Sequence, residues 1–268
     1  MCTLTFAWQT FEEHPLVVAA NRDEAYARES SPPAARTLDS GRRVVAPRDE
    51  EAGGTWMGYN DEGVFVAITN RWVETPPGER SRGRLVLDAL DSPSAEEAVR
   101  GIERELDRRR YEGFFLLVAD AAGCFLVSDE GGGSIHQFDP GVHVVMNVGY
   151  DTSYFVPEVR PAPAKRQAAN GRRLFEYLQP EPGETPEAWR TRAGDALGDH
   201  EFGVCIHGGQ PVETNGDPDD DANPDRAPEG FGTKSSSLVT VDASGDSRFW
   251  YADGPPCETP FERVDASV

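Results

Sequence analysis

The sequence predicts an α+β fold, a four-layer α/β/β/α sandwich of two mainly antiparallel sheets. Three observations predict it. Strand-like runs stand at both ends of the chain, helical composition is confined to the middle, and the turns between strand runs are short enough for hairpins. No internal repeat and no linker divides the chain, so residues 1–268 read as one domain, with an acidic loop at about 213–230.

The elements follow in order. Thr3 to Trp8 and Pro15 to Ala20 are strand runs separated by polar residues, a hairpin that brings Asn21-Arg22-Asp23-Glu24 back towards Cys2. Tyr26 to Arg42, rich in Ser, Pro, Arg and Ala, reads as a loop. Arg43 to Pro47 is a short strand, and the Gly53-Gly54-Thr55-Trp56-Met57 segment permits tight backbone approach before a hairpin into Val64 to Asn70. Ser81 to Leu90 and Ser94 to Arg109 carry helix signals, with Ala98, Ile102 and Leu106 on one face. Gly113 to Asp120 with Gly123 to Asp129, and Ser134 to Phe138 with Val142 to Val148, are two further strand pairs. Ala162 to Leu178 and Pro186 to Leu197 are helical, the first weakened at its middle by Asn170-Gly171. Lys234 to Asp242, Ser247 to Ala252 and Pro260 to Asp265 close the chain as strands.

The totals bound the function. With 47 acidic against 26 basic residues the net charge is −21, and only Lys165 and Lys234 are lysine. Such self-repulsion is relieved when salt shortens the Debye length to about 3 Å at 1 M, so the composition suits a salt-adapted cytoplasmic protein. Nucleic acid is a poor partner for it, and no apolar stretch is long enough for membrane insertion. Four cysteines, Cys2, Cys124, Cys205 and Cys257, lie far apart without C-x-x-C or Cys/His pairing, which argues against a zinc site and a dense disulfide framework. His14, His136, His200 and His207 have no partner at ligand spacing, and His143 alternates into a strand as a structural residue. The acidic run Asp217 to Asp225 lacks the alternating spacing of a calcium loop and reads as a solvated surface loop.

The chemistry centres on Cys2. With Met1 removed, Cys2 carries a thiol and a free α-amine, whose ordinary pKa values of about 8.5 and about 7.7–8.0 let one deprotonate the other near neutral pH. Arg22 and Asp23 would tune that pair, and strand-end Asn70 and Asn147 would supply oxyanion or amine-orienting hydrogen bonds. On a regular strand Arg22 and Asp23 point to opposite faces, so Asp23 is expected on Asn21's face, with Arg22 brought in by a bend. Trp56 reads as core packing, with a pocket wall as the alternative.

In combination, Met1-Cys2, Ala20-Asn21-Arg22-Asp23-Glu24, Gly53-Gly54-Thr55-Trp56-Met57-Gly58, Thr69-Asn70, Ser81-Arg82-Gly83 and Gly232-Thr233-Lys234-Ser235-Ser236 resemble the NRDE family, also called the transport-and-Golgi-organisation protein two family. The resemblance runs from residue 2 to about 252. That family is similar to the cysteine branch of the N-terminal-nucleophile hydrolases, which implies the sandwich above. It also implies Cys2 as nucleophile, Arg22 and Asp23 supporting thiolate and amine, Asn70 at an oxyanion position and Asn147 as the second asparagine. Lys234 stands where many members place arginine, and Phe115 where members commonly carry asparagine. In the acylases of this branch the arginine and aspartate are two residues apart, whereas Arg22 and Asp23 adjoin.

Two functions follow. One is a Cys2-dependent hydrolase of a non-peptide amide (C–N bond), requiring no cofactor. The other is a binding or trafficking protein for haem or an acyl-CoA or lipid-like ligand on the same scaffold, in line with roles linked to eukaryotic relatives. Either way a small-molecule pocket is expected around Cys2, with Asn21, Trp56 and Lys234 contacting the ligand.

Overall fold

The computed structural model describes residues 2–208 and 230–268. All but the last residue of the expected acidic loop lies outside these. The chain opens with a long hairpin, β1 (Cys2–Phe11) and β2 (His14–Ala25). Leu4, Phe6 and Trp8 share one core with Leu16 and Val18, while Ala7, Val17 and Ala19 share another, the two-residue period of strands buried on both faces. β2 runs past the expected end at Ala20 because a later strand pairs with it from Leu16 to Ala25, giving the polar Asn21 to Glu24 backbone partners.

Tyr26 to Arg42 is not the loop its composition suggests. It contains β3 (Ser30–Thr37), an edge strand on β4 (Arg43–Asp49). Pro32 and Pro33 fall in the register irregularity between Ser31 and Ala34, where an edge strand tolerates missing N–H donors. β5 (Met57–Asn60), β6 (Phe65–Asn70), β7 (Phe114–Ala119), β8 (Cys124–Asp129) and β9 (Ser134–Gln137) complete a seven-stranded antiparallel sheet in simple chain order. Between β6 and β7 come α1 (Arg82–Leu90) and α2 (Ala95–Leu106). The hydroxyls of Ser81 and Ser94 cap them by accepting from the Gly83 and Glu97 N–H groups.

The second sheet adds β10 (Gly141–Met146) and two short strands not expected from the sequence, β11 (Gly149–Tyr150) and β12 (Ser153–Tyr154). After α3 (Pro161–Tyr177) and α4 (Pro186–Gly198) come β13 (Phe231–Val241), β14 (Ser247–Ala252) and a short β15 (Glu262–Arg263). The order is β12-β11-β10-β1-β2-β13-β14-β15, so the N-terminal hairpin lies at the centre of the eight-stranded sheet. Gly171, a weak helix former inside α3, has a packing reason. A Cβ there would lie 2.2 Å from the Tyr154 hydroxyl oxygen, so glycine lets α3 close on β12 without displacing the Tyr154 side chain.

Three cores result. One fills the space between the sheets, a second lies between the seven-stranded sheet and α1 and α2, and a third lies between the eight-stranded sheet and α3 and α4. These are the four expected layers. Among the described residues, no helix is long and apolar enough to cross a membrane.

Candidate functional site

β1 carries its even-numbered residues into the space between the sheets, and Cys2 is the first of them. Here the inter-sheet core gives way to a cleft of about 490 Å³. Leu4, Trp56, Met57 and Ile68 give it apolar walls, while Arg22, Asp49 and Arg82 bring charge. An apolar cleft with a few convergent polar groups is the usual form of a small-molecule site.

Cys2 sits opposite Arg22 in the β1–β2 register, so both side chains face the cleft. The Cys2 main-chain nitrogen donates to Asn147 Oδ1 at 3.0 Å, and its Sγ lies 4.0 Å from the Asp23 carbonyl oxygen. Asn147 follows β10 and is buried. Its Nδ2 donates to Thr69 Oγ1 at 2.9 Å and to the Asn70 carbonyl at 2.6 Å, while Gln167 Nε2 donates to its Oδ1 at 2.9 Å. The amide is therefore fully engaged, binding β1 and α3 to the end of β6. Of the two roles expected for Asn147, it fills the nitrogen-orienting one and has no N–H left for an oxyanion. Asn70 is exposed and lines the cleft.

Arg22 needs no bend in β2 to reach Cys2's face. Its guanidinium lies over the Trp56 ring, 4.0 Å from the centroid, and 3.8 Å from both Glu24 and Asp49 carboxylates. Trp56 thus combines its two readings, packing on the inter-sheet core and walling the cleft. Asp49 also takes a 2.8 Å bond from Arg28 Nε. Burial would raise the Asp49 carboxyl, but the Ala52 N–H, Arg28 and Arg22 outweigh it and hold it below the ordinary carboxylate range.

Asp23 faces the other way, with Asn21, as expected. Its Oδ1 accepts from the Thr233 hydroxyl at 2.5 Å, and burial, opposed by that bond, pushes its carboxyl up to about 6. The irregularity in the pairing lies on β13, where Thr233 pairs with Asp23 and Ser235 with Arg22, leaving Lys234 as the extra residue of a bulge.

Lys234 is displaced from its expected ligand contact by this arrangement. Lys234 does not line the cleft, because the bulge turns it aside and its Nζ donates to the Tyr26 carbonyl at 2.7 Å. Asn21 lies along the cleft, and its side-chain amide is engaged in structural hydrogen bonds. Its Nδ2 donates to the Leu197 and Val204 carbonyls at 3.0 and 2.9 Å, and its Oδ1 accepts from Ser236 at 2.6 Å. Phe115 is buried in the inter-sheet core with the Arg71 guanidinium 5.1 Å over its ring, so no amide stands there.

The two glycine-containing motifs pack on each other. A Cβ on Gly54 would lie 2.4 Å from the Gly83 carbonyl carbon, and Thr55 N–H donates to the Gly83 carbonyl at 3.1 Å. That close approach sets Trp56 and Arg82 at the cleft. Arg82 was not singled out from the sequence, although its motif was. Burial lowers its guanidinium from the ordinary value, while the Glu112 carboxylate, and a thiolate at Cys2, act in the opposite sense. Gln167 and Thr233 were also missed, since nothing local marks a helix glutamine or a strand threonine as a support.

The expectation that no histidine meets a cysteine also fails. His200, Cys205, His207 and Cys257 present donor atoms within 4.8 Å of one another. His143 is structural as expected, its Nδ1 2.9 Å from Asp151 Oδ2.

Two facing antiparallel sheets between helical layers, with the N-terminal strand at the centre of one, constitute the fold of the N-terminal-nucleophile hydrolases. Penicillin V acylase from Agrobacterium tumefaciens superposes with a TM-score of 0.54 at 14% identity, over 94% of this chain and 83% of that one. The Caenorhabditis elegans N-acylethanolamine-hydrolyzing acid amidase ortholog also gives 0.54, at 12% identity over 88% and 92%. By sequence, the chain belongs to the Transport and Golgi organisation 2 family, which matches residues 1–252. The Bos taurus Transport and Golgi organization protein 2 homolog is 30% identical over 128 residues, and the Mus musculus homolog 30% over 129. Each match spans 45% of this chain and 45% of the relative, somewhat under half the length of both.

Proposed function

We propose that this protein is a cysteine N-terminal-nucleophile hydrolase of a non-peptide amide. The observation that carries the reading is the setting of Cys2: its side chain faces the cleft beside Arg22, and its main-chain nitrogen is held at 3.0 Å by Asn147 Oδ1. With Met1 removed, that nitrogen becomes an amine already oriented next to its own thiol. The two solved structures named above, one an acylase and one an acid amidase, support a C–N bond as the target.

In this mechanism the amine takes the thiol proton, and the thiolate attacks the amide carbon. The Arg22 and Arg82 guanidinium groups offset the sulfur's negative charge. Asn70 Nδ2, free to turn at the cleft wall, donates to the oxyanion. Collapse of the tetrahedral adduct breaks the C–N bond, with the ammonium returning its proton to the leaving nitrogen. Water, deprotonated by the same amine, then cleaves the thioester and releases the acid. The apolar walls suit an acyl group, and the charged mouth suits a polar amine portion.

The test is intact-mass analysis of the full chain combined with single-turnover assays on N-acyl amides. Expected are loss of Met1, a burst of released amine and an acyl adduct on Cys2. A retained Met1 would remove the amine-as-base mechanism.

A further inference from the structure

Away from the cleft, two segments distant in sequence meet. After α4 the chain makes a short turn, His200–Phe202, capped by the Asp199 carboxylate, and Gly203 at φ 64° releases it into Cys205-Ile206-His207. The loop between β14 and β15 brings Cys257 to the same place. Cys205 Sγ is 3.4 Å from Cys257 Sγ, and His207 Nε2 is 3.1 Å from Cys257 Sγ and 3.5 Å from Cys205 Sγ. The His200 ring stands 5.2 Å from the His207 ring at 80°. One donor atom from each of the four lies within 4.8 Å of the others.

Zinc bonds of about 2.3 Å to sulfur and about 2.0–2.1 Å to nitrogen give a tetrahedron whose edges are about 3.3–3.8 Å. The three distances among Cys205, His207 and Cys257 are already within a few tenths of an ångström of these edges. Exposed His200 closes the fourth vertex by a small side-chain movement. We propose that His200, Cys205, His207 and Cys257 form a closed, four-ligand structural site for zinc(II).

The surroundings fit that assignment. A ligating histidine is commonly held through its second ring nitrogen by a carboxylate, and His207 Nδ1 lies 3.9 Å from Glu258 Oε1. Ile206, between two of the ligands, is locked to β13: its N–H donates to Thr233 Oγ1 at 2.8 Å and its carbonyl accepts from Thr233 N–H at 2.7 Å. Binding displaces one proton from each thiol, and the product of one dication, two thiolates and two neutral imidazoles carries no net charge. The site would clamp the end of α4 and the β14–β15 loop onto β13, and it does not depend on the hydrolase reading.

The experiment uses the full chain, purified under reductant without a histidine tag. Its zinc content is measured, and the metal-stripped protein is titrated with cobalt(II). One equivalent of zinc is expected, and cobalt should give the visible bands of tetrahedral geometry with a sulfur-to-cobalt charge-transfer band. Cys257→Ser should abolish the charge-transfer signature or halve it, His200→Asn should weaken binding by about 10-fold or more, and Cys2→Ser should change neither. Cobalt binding with octahedral spectra, binding unaffected by Cys257→Ser, or a Cys205–Cys257 disulfide in the reductant-treated protein would overturn the site.

Discussion

The inner face of β1 ends differently at its two extremities. At one end Trp8 is buried and donates its indole N–H to the Asp120 carbonyl at 2.8 Å, and Phe6 packs edge-on against Phe138 at 5.3 Å, sealing the sheets together. At the other, on the same face of the same strand, Cys2 is half-buried beside Arg22 at the mouth of a cleft. From Cys2 to Trp8 the strand keeps a regular antiparallel register with β2. What differs is the material opposite: apolar side chains close the Phe6 end, while the charged side chains of Arg22, Asp49 and Arg82 line the open Cys2 end. A site arises here where apolar filling stops, not where secondary structure changes.

That contrast can be broken from either end. Cys2→Ala should have the largest effect, lowering turnover in an N-acyl amide assay by more than about 10⁴-fold while leaving the melting temperature unchanged. Phe6→Ala should do the converse, costing about 3–5 kcal/mol in denaturant unfolding because it leaves a cavity in a fully buried position. An equal loss of stability in both variants would erase the distinction.

Asp23 comes next. Its carboxyl is near 6 in the fold against 3.8 as an ordinary aspartate, so the folded state binds the proton more tightly. The resulting stability is present below about pH 4, declines between about pH 4 and 6, and amounts to on the order of 3 kcal/mol. Asp23→Asn should therefore match the parent near pH 4 and exceed it in stability at pH 7, read from paired unfolding curves. If ionised Asp23 supports the amine, hydrolysis by the parent should rise through about pH 6, and a flat acid limb would separate Asp23 from the chemistry.

Asn147→Ala should cost about 1–3 kcal/mol, by removing the acceptor for Cys2 N–H and Gln167 and the donor to β6. It should also slow acylation more than it raises KM. The smallest effect belongs to Lys234→Ala, expected to leave KM and kcat within about 2-fold, since its ammonium bonds the Tyr26 carbonyl away from the cleft. A large rise in KM there would return Lys234 to the ligand site.

Local periodicity and punctuation made much of this molecule legible. Polar residues between two strand-like runs marked β1 and β2 as a hairpin, the serines at 81 and 94 marked helix starts, and the spacing of Arg22 and Asp23 placed them on opposite faces. Proline and serine concealed β3, because an edge strand needs partners on one side only and tolerates residues that an interior strand excludes. Asn21, Asn147 and Lys234 were conspicuous in sequence, yet their roles depended on the residues facing them. Asn21 found the carbonyls of Leu197 and Val204, Asn147 found β6, and a one-residue bulge turned Lys234 away.

By itself, the sequence determined where strand runs and helices begin, and that a cysteine lies at the start of the first strand, since all of these depend on neighbours a few positions away. Only the tertiary structure decided that this strand's end opens on a cleft, that Asn147 holds the Cys2 nitrogen, and that Cys257 meets His200, Cys205 and His207. Those arrangements depend on strand register and chain return over long separations, which no local pattern records.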